Sequence, residues 1–461
     1  MANCLKCGNP LPAFSLGERS HLCADCNAEF QREQALLQPQ PRRDPWDDLP
    51  RASTSGPAWL TVTHFLVAVN IAIFVAMVAT GAKIQFPDFD DVFRWGGSYG
   101  PITLNGQYWR TVSSAFVHIG IYHLAMNMWC LLILTQPLER LMGKFTTFMV
   151  YILTAIGASL LSLVWDPSRG GAGASGAVFG IAGVLISFFY FAKLDLPKER
   201  VKSILRWVTR FAVINLAFGF SLRLAGIDII GNAAHLGGLI TGLLLGVFFA
   251  RAYGVPAEER LSRQLRIVAG AAVILVALFP PIIRANAPQQ ASKIEPFYGE
   301  IALHRRDYAS AIAHFEKALP QNSGDAIMHG MFGYALANSH RYDEALREYN
   351  QALALQPEFQ WVQVNMAAAY LAQGQPEKAV TLFKKNEKAF PWESEDFRYY
   401  GDALAQTGDL NGAEAALLQA IKLDPKDGRP HHLLALVYAK MGKTAEAAHE
   451  EKFGSADDHN P

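Results

Sequence analysis

The 461-residue sequence predicts an all-α protein: a polytopic bundle of membrane-spanning helices, a C-terminal α-solenoid and a small metal-binding N-terminal segment. Three observations predict this fold: long apolar runs almost free of charge, alanines that recur every 34 residues, and two Cys-x2-Cys pairs near the N-terminus. The 41 basic residues balance 41 acidic ones, which argues against a nucleic-acid-binding protein. The mean hydropathy of +0.11 therefore averages an apolar core and charged ends.

The predicted membrane-spanning part is recognised by its low number of charged residues. From Thr111 to Ala192 the sequence has five charged residues, and all five lie between apolar runs. Each run is close to the roughly 20 residues that a helix needs to cross a hydrocarbon core. A large soluble helical core would show polar stripes instead. We predict six spans within residues 58–250 and a seventh, shorter one, at 58–80, 115–137, 145–165, 174–192, 207–225, 229–250 and 267–283.

The orientation of these spans follows from the basic residues in the connecting loops. Residues 193–210 hold six lysines and arginines after the fourth run, whereas the loop after the third run holds only Arg169. Because basic loops stay in the cytoplasm, we expect a cytoplasmic N-terminus, and an extracytoplasmic repeat region if 267–283 spans. The first residues are polar, so we expect no cleavable signal peptide. The expected location is the bacterial plasma membrane, as a multi-pass protein.

The N-terminal segment, residues 1–30, holds four cysteines in the spacing of a zinc ribbon. Four thiolates in paired Cys-x2-Cys knuckles suit a tetrahedral zinc ion that fills a structural role. Two disulfides are the alternative, but the expected cytoplasmic side is reducing. The fifth cysteine, Cys130, is interpreted as a packing residue, and residues 31–57 as a Pro-rich linker. The predicted zinc ligands are Cys4, Cys7, Cys23 and Cys26.

The C-terminal region, residues 285–461, carries a repeat of 34 residues. Its alanines are followed four residues later by a large apolar residue, at Phe315, Tyr349, Phe383 and Leu417. The pattern resembles the tetratricopeptide repeat (TPR), which implies stacked helix pairs with a concave face for a peptide or partner protein. Ala367, Asn386 and Ser323 depart from the consensus. The repeating alanines are Ala311, Ala345, Ala379, Ala413 and Ala447.

Three polar clusters inside the apolar runs are candidates for chemistry, because polar groups are costly in a membrane. They are Ser175 within GASGAVFG, His235 within AHLGG, and the pair His123 and Asn127 on one helical face. Taken singly, a serine can bond to its own helix, a histidine can bind a metal or relay protons, and spaced glycines can pack helices. Glycines on both helices would let Ser175 approach His235 closely.

These motifs, in this order, together with Trp109-Arg110, resemble the rhomboid family of intramembrane serine proteases over residues 58–250. The resemblance implies a dyad in which Ser175 is the nucleophile and His235 the general base and acid. It implies an oxyanion hole of His123, Asn127 and the Ser175 N–H group, and no cofactor for catalysis. Phe179, one turn after Ser175, is expected to pack against the imidazole ring of His235.

The implied function is an intramembrane serine endopeptidase that cleaves transmembrane segments of membrane-protein substrates within the lipid bilayer. An inactive rhomboid-like scaffold that binds clients through its TPR region is the alternative, and a transporter is a third possibility that would spread polar residues along more spans. Residues 251–284 are assigned to a loop and the seventh span. Trp109-Arg110 is interpreted as an interface anchor, and Glu139 as a residue of loop structure.

Overall fold

The computed structural model describes residues 4, 6–10, 22–23, 25–30, 49, 61–226, 231–387 and 391–454. The predicted linker, 31–57, lies outside these residues except for Leu49. The chain divides into two compact units. The first comprises Met1–Pro87, Val112–Ser162 and Ala172–Ala277, and the second comprises Asp88–Thr111, Leu163–Gly171 and Leu278–Pro461. Helices dominate both units, as the sequence predicts.

Every predicted apolar run overlaps a helix in the part of the chain that the structure describes. The helices are α1 (Val62–Ala79), α5 (Ile121–Met142), α6 (Lys144–Trp165), α7 (Ser175–Phe191), α8 (Lys198–Leu224), α9 (Asn232–Tyr253) and α10 (Ala257–Gln290). Five helices in the described residues are long and apolar enough to cross a membrane, or six with one bent pair. Helix α7, at 17 residues, is shorter than these.

The second apolar run is bent rather than continuous. Helix α4 (Arg110–Ser113) and a 3-10 turn (Ser114–Phe116) meet α5 at an angle of 94°. Gly120 occupies the bend with a φ of +91°, a conformation that favours glycine. The N–H group of Ile121 then donates to the carbonyl of Ile84, which fastens the start of α5 to the end of the preceding segment.

Helices α7 and α9 pack more closely than side chains would allow, because glycines face each other along their contact. A Cβ atom on Gly238 would lie 2.8 Å from the carbonyl carbon of Gly176, and one on Gly242 would lie 2.7 Å from that of Gly180. Only glycine at these two positions permits this approach of the two backbones. The contact therefore brings the N-terminal ends of both helices, which carry Ser175 and His235, together.

The second unit begins with the loop of residues 88–111. The loop contains α2 (Phe89–Arg94), strand β1 (Ser98–Tyr99) and α3 (Gly100–Leu104). Strand β1 pairs antiparallel with β2 (Gly170–Gly171) in the register Ser98 to Gly171 and Tyr99 to Gly170. This two-stranded ladder is the one sheet among the described residues.

The rest of the second unit is a series of helix pairs. The helices are α11 (Ile294–His304), α12 (Tyr308–Asn322), α13 (Ala326–Asn338), α14 (Tyr342–Leu355), α15 (Gln360–Ala372), α16 (Pro376–Asn386), α17 (Ser394–Thr407), α18 (Leu410–Leu423), α19 (Gly428–Lys440) and α20 (Thr444–Gly454). The large residues of the repeat pack directly against its glycines. A Cβ on Gly299 would lie 2.8 Å from the Phe315 ring, and one on Gly333 would lie 2.7 Å from the Tyr349 ring. The repeat thus follows the predicted pattern of helix pairs in contact.

Candidate active site

Ser175 and His235 meet at the N-terminal ends of α7 and α9. Ser175 is the first residue of α7, and His235 lies in the first turn of α9. The distance from the hydroxyl Oγ of Ser175 to Nε2 of His235 is 2.9 Å, which is a hydrogen bond. The structure therefore brings together the two residues predicted as nucleophile and base, although 60 positions separate them in the chain.

Phe179 holds the imidazole ring of His235 from one side. The two rings are stacked, with centroids 4.4 Å apart and an interplanar angle of 15°. Phe179 is itself buried, so the stacked position is fixed by packing. Within the described residues, no group forms a hydrogen bond with Nδ1 of His235. Among the described residues, stacking on Phe179 therefore orients the imidazole ring, without the carboxylate bond to Nδ1 that a triad has.

His123 lies beside the segment that leads into Ser175. A Cβ on Gly173 would lie 2.5 Å from Cε1 and 2.9 Å from Nε2 of His123, so the ring is in contact with the glycine backbone. The N–H group of Ile119 donates to Nδ1 of His123 at 3.4 Å. Because Nδ1 accepts, the neutral ring carries its proton on Nε2. His123 is thus a donor on the side that faces Gly173.

Asn127 lies one turn after His123 on α5, as its spacing predicts. Its amide nitrogen Nδ2 donates to the carbonyl of His123 at 2.8 Å, and the side chain is buried. An amide nitrogen carries two protons, so one remains for another acceptor. Among the described residues no hydrogen bond joins His123 or Asn127 to Ser175 or His235, although His123 contacts Gly173, two positions before Ser175.

Sequence reasoning missed His118, which supports the same segment. His118 is fully buried, and its Nε2 accepts from the N–H group of Ala174 at 3.4 Å. The N–H group of Gly173 donates to the carbonyl of Ser114 at 2.8 Å. The two bonds hold both residues that precede Ser175. The available signal is a second histidine in the apolar run 115–137, beside His123, since a buried histidine needs a partner.

The N-terminal cysteines form a cluster of the right size for a metal. The sulfur atoms of all four predicted ligands lie within 4.8 Å of one another. Backbone hydrogen bonds from Cys7 and Cys23 lower the pKa of Cys4 to about 6, while the neighbouring thiols of Cys23 and Cys7 raise the pKa of Cys26 to about 12. Negative charge on one sulfur therefore opposes ionisation of another. A cation among the four sulfurs would remove that conflict, so the donor set fits a metal ion.

Arg110 makes its contacts inside the loop of residues 88–111, and the interpretation of Trp109-Arg110 as an interface anchor stays a prediction. It is 4% exposed, and its Nη1 donates to the carbonyls of Phe93 at 2.6 Å and Gly97 at 2.7 Å. Its guanidinium also covers the Phe93 ring at 3.6 Å. Trp109, in contrast, is 53% exposed. Arg110 therefore holds the loop of residues 88–111 together from within.

Comparisons with known proteins support the resemblance that the motifs carry. Residues 105–252 match the family model of the Rhomboid domain, and residues 291–456 match the Cilia and flagella-associated protein 70 C-terminal domain. Rhomboid protease GluP of Bacillus subtilis (strain 168) is 28% identical over 380 residues, or 82% of this chain and 58% of that protein. The chain thus spans less than two thirds of this relative.

Two further comparisons cover one part of the chain each. Rhomboid protease AarA of Providencia stuartii is 28% identical over 240 residues, or 48% of this chain and 82% of that protein. Among solved structures, MamA 41-end from Desulfovibrio magneticus RS-1 covers 36% of this chain and 97% of its own, with 20% identity and a TM-score of 0.33. The membrane part of the chain therefore resembles the rhomboid proteases and the C-terminal part is TPR-like, as the motifs predict.

Proposed function

We propose that the chain is an intramembrane serine endopeptidase that cleaves transmembrane segments of other membrane proteins by a Ser175–His235 dyad. One observation carries the proposal: the 2.9 Å hydrogen bond between Oγ of Ser175 and Nε2 of His235, at the contact of two apolar helices. The names of the relatives, which are rhomboid proteases, agree with this activity. Zinc plays no part in the proposed reaction.

In the proposed reaction, Nε2 of His235 takes the proton of the Ser175 hydroxyl as Oγ attacks the carbonyl carbon of the scissile peptide bond. The C–N bond then breaks, and His235 gives the proton to the leaving amine. In the second half of the reaction, His235 takes a proton from water as the water oxygen attacks the acyl-enzyme ester. His235 then returns the proton to Oγ of Ser175 as the ester bond breaks. Stacking on Phe179 keeps Nε2 directed at Oγ throughout both halves.

The tetrahedral intermediate needs donors for its oxyanion. His123, with its proton on Nε2, and Asn127, with one amide proton in reserve, are the proposed side-chain donors. The N–H group of Ser175 is the third, because the first N–H groups of a helix have no partner within that helix. In an apolar site such donors stabilise a developing charge far more strongly than in water.

The substrate class follows from the position of the site. A transmembrane helix shields its carbonyls in hydrogen bonds, so the cleaved segment must unwind locally. Small or helix-breaking residues near the cut are therefore expected. Hydrolysis also needs water at Ser175, which is the first residue of α7 and is partly buried. The proposed domain boundaries are 1–30, 31–57, 58–250, 251–284 and 285–461.

The proposed topology has the N-terminus in the cytoplasm and the repeats outside, with α10 as the seventh span. The basic loop after α7 and the length of α10, 34 residues, support it. The concave face of the repeats would then bind a peptide or a partner protein. Tyr334 and Trp361, with ring centroids 5.9 Å apart on successive repeats, are half-buried and suit such a contact.

The test is cleavage of a model transmembrane substrate by the purified chain in liposomes. The comparison is wild type, Ser175→Ala and a matched control, Ser187→Ala, which lies three turns further along α7 and is buried. We expect cleavage by the wild type and the control only, with a loss of about 10³-fold or more in Ser175→Ala. Binding of the substrate without cleavage by any of the three would favour the scaffold and reject the protease.

A further inference from the structure

The loop of residues 88–111 and the segment of residues 163–171 belong to the same compact unit as the repeats. The proposed function assigns no role to this association. Within the unit, helix α11 of the first repeat contacts the loop through a cluster of aromatic rings and an ion pair. Both contacts join residues about 200 positions apart, so they are not consequences of local chain geometry.

Phe297 of α11 is the centre of the aromatic cluster. Its ring centroid lies 4.5 Å from that of Tyr99 and 4.8 Å from that of Phe93, and only 5% of the residue is exposed. Phe89 completes the cluster with an edge contact at 5.8 Å. Burial of a phenylalanine among three rings is worth several times the net contribution of one hydrogen bond. The loop and α11 therefore form one core.

An ion pair fixes the end of the same helix. Arg305, which follows α11, donates from Nε and Nη2 to the two carboxylate oxygens of Asp90 at 2.9 and 2.8 Å. The Asp90 side chain is 14% exposed, so the pair is partly shielded from water. A bidentate arginine–carboxylate pair specifies direction as well as distance. The rotation of α11 against the loop is thereby set.

The loop of residues 88–111 in turn contacts the segment of residues 163–171, which precedes the proposed nucleophile. Tyr99 is paired with Gly170 in the β ladder, and Gly100 donates its N–H group to the carbonyl of Arg169 at 3.2 Å. The Phe89 ring rests on Gly170 so closely that a Cβ there would lie 2.5 Å from its Cε2 atom. Residue 171, where the ladder ends, is four positions before Ser175.

We propose that the first repeat helix is a positioning element for this segment, with Phe297 and Arg305 as its positioning residues. The repeats are then part of the framework that holds residues 163–171, rather than an appended module. A partner that binds the repeats and tilts α11 would change how rigidly residues 163–171 are held. The inference rests on the proposed function only for its effect on cleavage.

Amide hydrogen exchange on the full chain in detergent tests, without any substrate, whether α11 positions the segment of residues 163–171. We compare Arg305→Glu, the double variant Asp90→Arg/Arg305→Glu, and Arg341→Glu as a control, because Arg341 pairs with Glu344 inside the repeats. Exchange at Gly100 and residues 169–171 should rise about fivefold in Arg305→Glu and return towards wild type in the double variant. Wild-type exchange in Arg305→Glu, or an equal rise in the control, would overturn the proposal.

Cleavage of the model transmembrane substrate tests whether the positioning of this segment affects catalysis. Arg305→Glu should lower kcat about threefold or more at unchanged KM, and the double variant should restore kcat. Phe297→Ala should act in the same direction, with Phe297→Leu closer to wild type. Raised exchange with unchanged kcat would overturn the link to Ser175. If the wild type cleaves nothing, the proposed function fails, and the exchange experiment alone still decides whether α11 positions the segment.

Discussion

At the scale of single residues, Glu139 shows what a charge between two apolar runs does. Its Oε1 accepts from the N–H group of Val62 at 2.9 Å, and its Oε2 accepts from the N–H group and the hydroxyl of Thr63 at 3.0 and 2.8 Å. The carboxylate thus covers the N-terminus of α1, where a helix favours negative charge. Glu139 lies within α5 (Ile121–Met142) and binds the start of α1, so the interpretation as a residue of loop structure is wrong.

Glu139→Gln should destabilise the first compact unit, because one acceptor oxygen becomes a donor that faces another donor. We expect a loss of about 1–3 kcal/mol in the free energy of unfolding, seen as a lower midpoint of thermal unfolding in detergent. Glu199→Gln is the control, since Glu199 is 78% exposed and pairs only with Lys202 among the described groups. Equal midpoints for wild type and Glu139→Gln would contradict the assignment.

The proposed oxyanion donors give a second residue-level prediction. Asn127→Ala should lower kcat by about 10²-fold with little change in KM, because the lost bond forms in the transition state. Asn215→Ala is a matched control: Asn215 also donates to the carbonyl four residues back, at 2.8 Å, but is exposed on α8. Steady-state kinetics in liposomes measure both variants. A rise in KM alone for Asn127→Ala would make Asn127 a substrate-binding residue instead.

The residues of the proposed dyad could be predicted because their signals are local. GASGAVFG and AHLGG combine a polar group with the glycines that make room for it, and the structure gives the contact that they imply. His118 could not be predicted in the same way, because its partner is the backbone N–H group of Ala174, which any residue would supply. Side chains that bind backbone leave little trace in sequence.

At the scale of elements, the contact between α7 and α9 decides whether the proposed dyad can form. Three glycines of α9, Gly238, Gly242 and Gly246, lie against carbonyl groups of α7, so the helices have no space for a methyl group there. A side chain at this contact would separate the helices and lengthen the distance from Ser175 to His235. The small residues were visible in the sequence, and their role in packing was part of the prediction.

Gly242→Ala should therefore lower both activity and stability. The new Cβ would lie 2.7 Å from the carbonyl carbon and 2.9 Å from the Cα of Gly180, and the backbone must shift to relieve the overlap. We expect cleavage to fall at least about tenfold, with a lower unfolding midpoint. Gly270→Ala in α10 is the control.

The control should be neutral or slightly stabilising. No heavy atom of the described residues lies within 4 Å of a Cβ on Gly270, apart from its chain neighbours and its own helix backbone. Alanine is favoured over glycine inside a helix by about 0.5–1 kcal/mol. If Gly242→Ala behaved like Gly270→Ala, the close approach of α7 and α9 would be refuted.

The position of the second apolar run could be predicted from the sequence, but its bend could not. The predicted run 115–137 extends across the break before α5, because Ala115 and Phe116 on one side and Ile121 on the other are all apolar. The φ of +91° at Gly120 and the bond from Ile121 to Ile84 produce the bend. The end of α10 is similar: the predicted run 267–283 marks its apolar centre, whereas the helix continues to Gln290.

At the scale of the whole molecule, the periodic repeats could be predicted and the place of their first helix could not. A 34-residue period leaves alanines at fixed intervals, so it can be read directly. The contact of Arg305 with Asp90 joins residues 215 positions apart and leaves no pattern in one sequence. The departure at Asn386 also has a structural reason, because its amide donates to the side-chain oxygen of Gln363 at 3.0 Å.

The N-terminal cysteines give a prediction that is independent of proteolysis. The purified wild type should contain about one zinc ion per chain, and Cys4→Ser should lose it, because three thiolates bind far more weakly than four. Elemental analysis measures the metal, and Cys130→Ser is the control, since Cys130 lies on α5. Retention of zinc in Cys4→Ser would exclude the four-cysteine site, and cleavage should not depend on the metal.

The proposed reaction depends most directly on the activation of Ser175 by His235. The most direct measurement uses a fluorophosphonate, which bonds through phosphorus to an activated serine oxygen as fluoride leaves and the base takes the proton. Peptide mapping by mass spectrometry should find the adduct on Ser175 in the wild type and in Ser187→Ala. His235→Ala should slow labelling by about 10³-fold or more. Equal labelling of Ser175 with and without His235, or an adduct on another residue, would contradict the account.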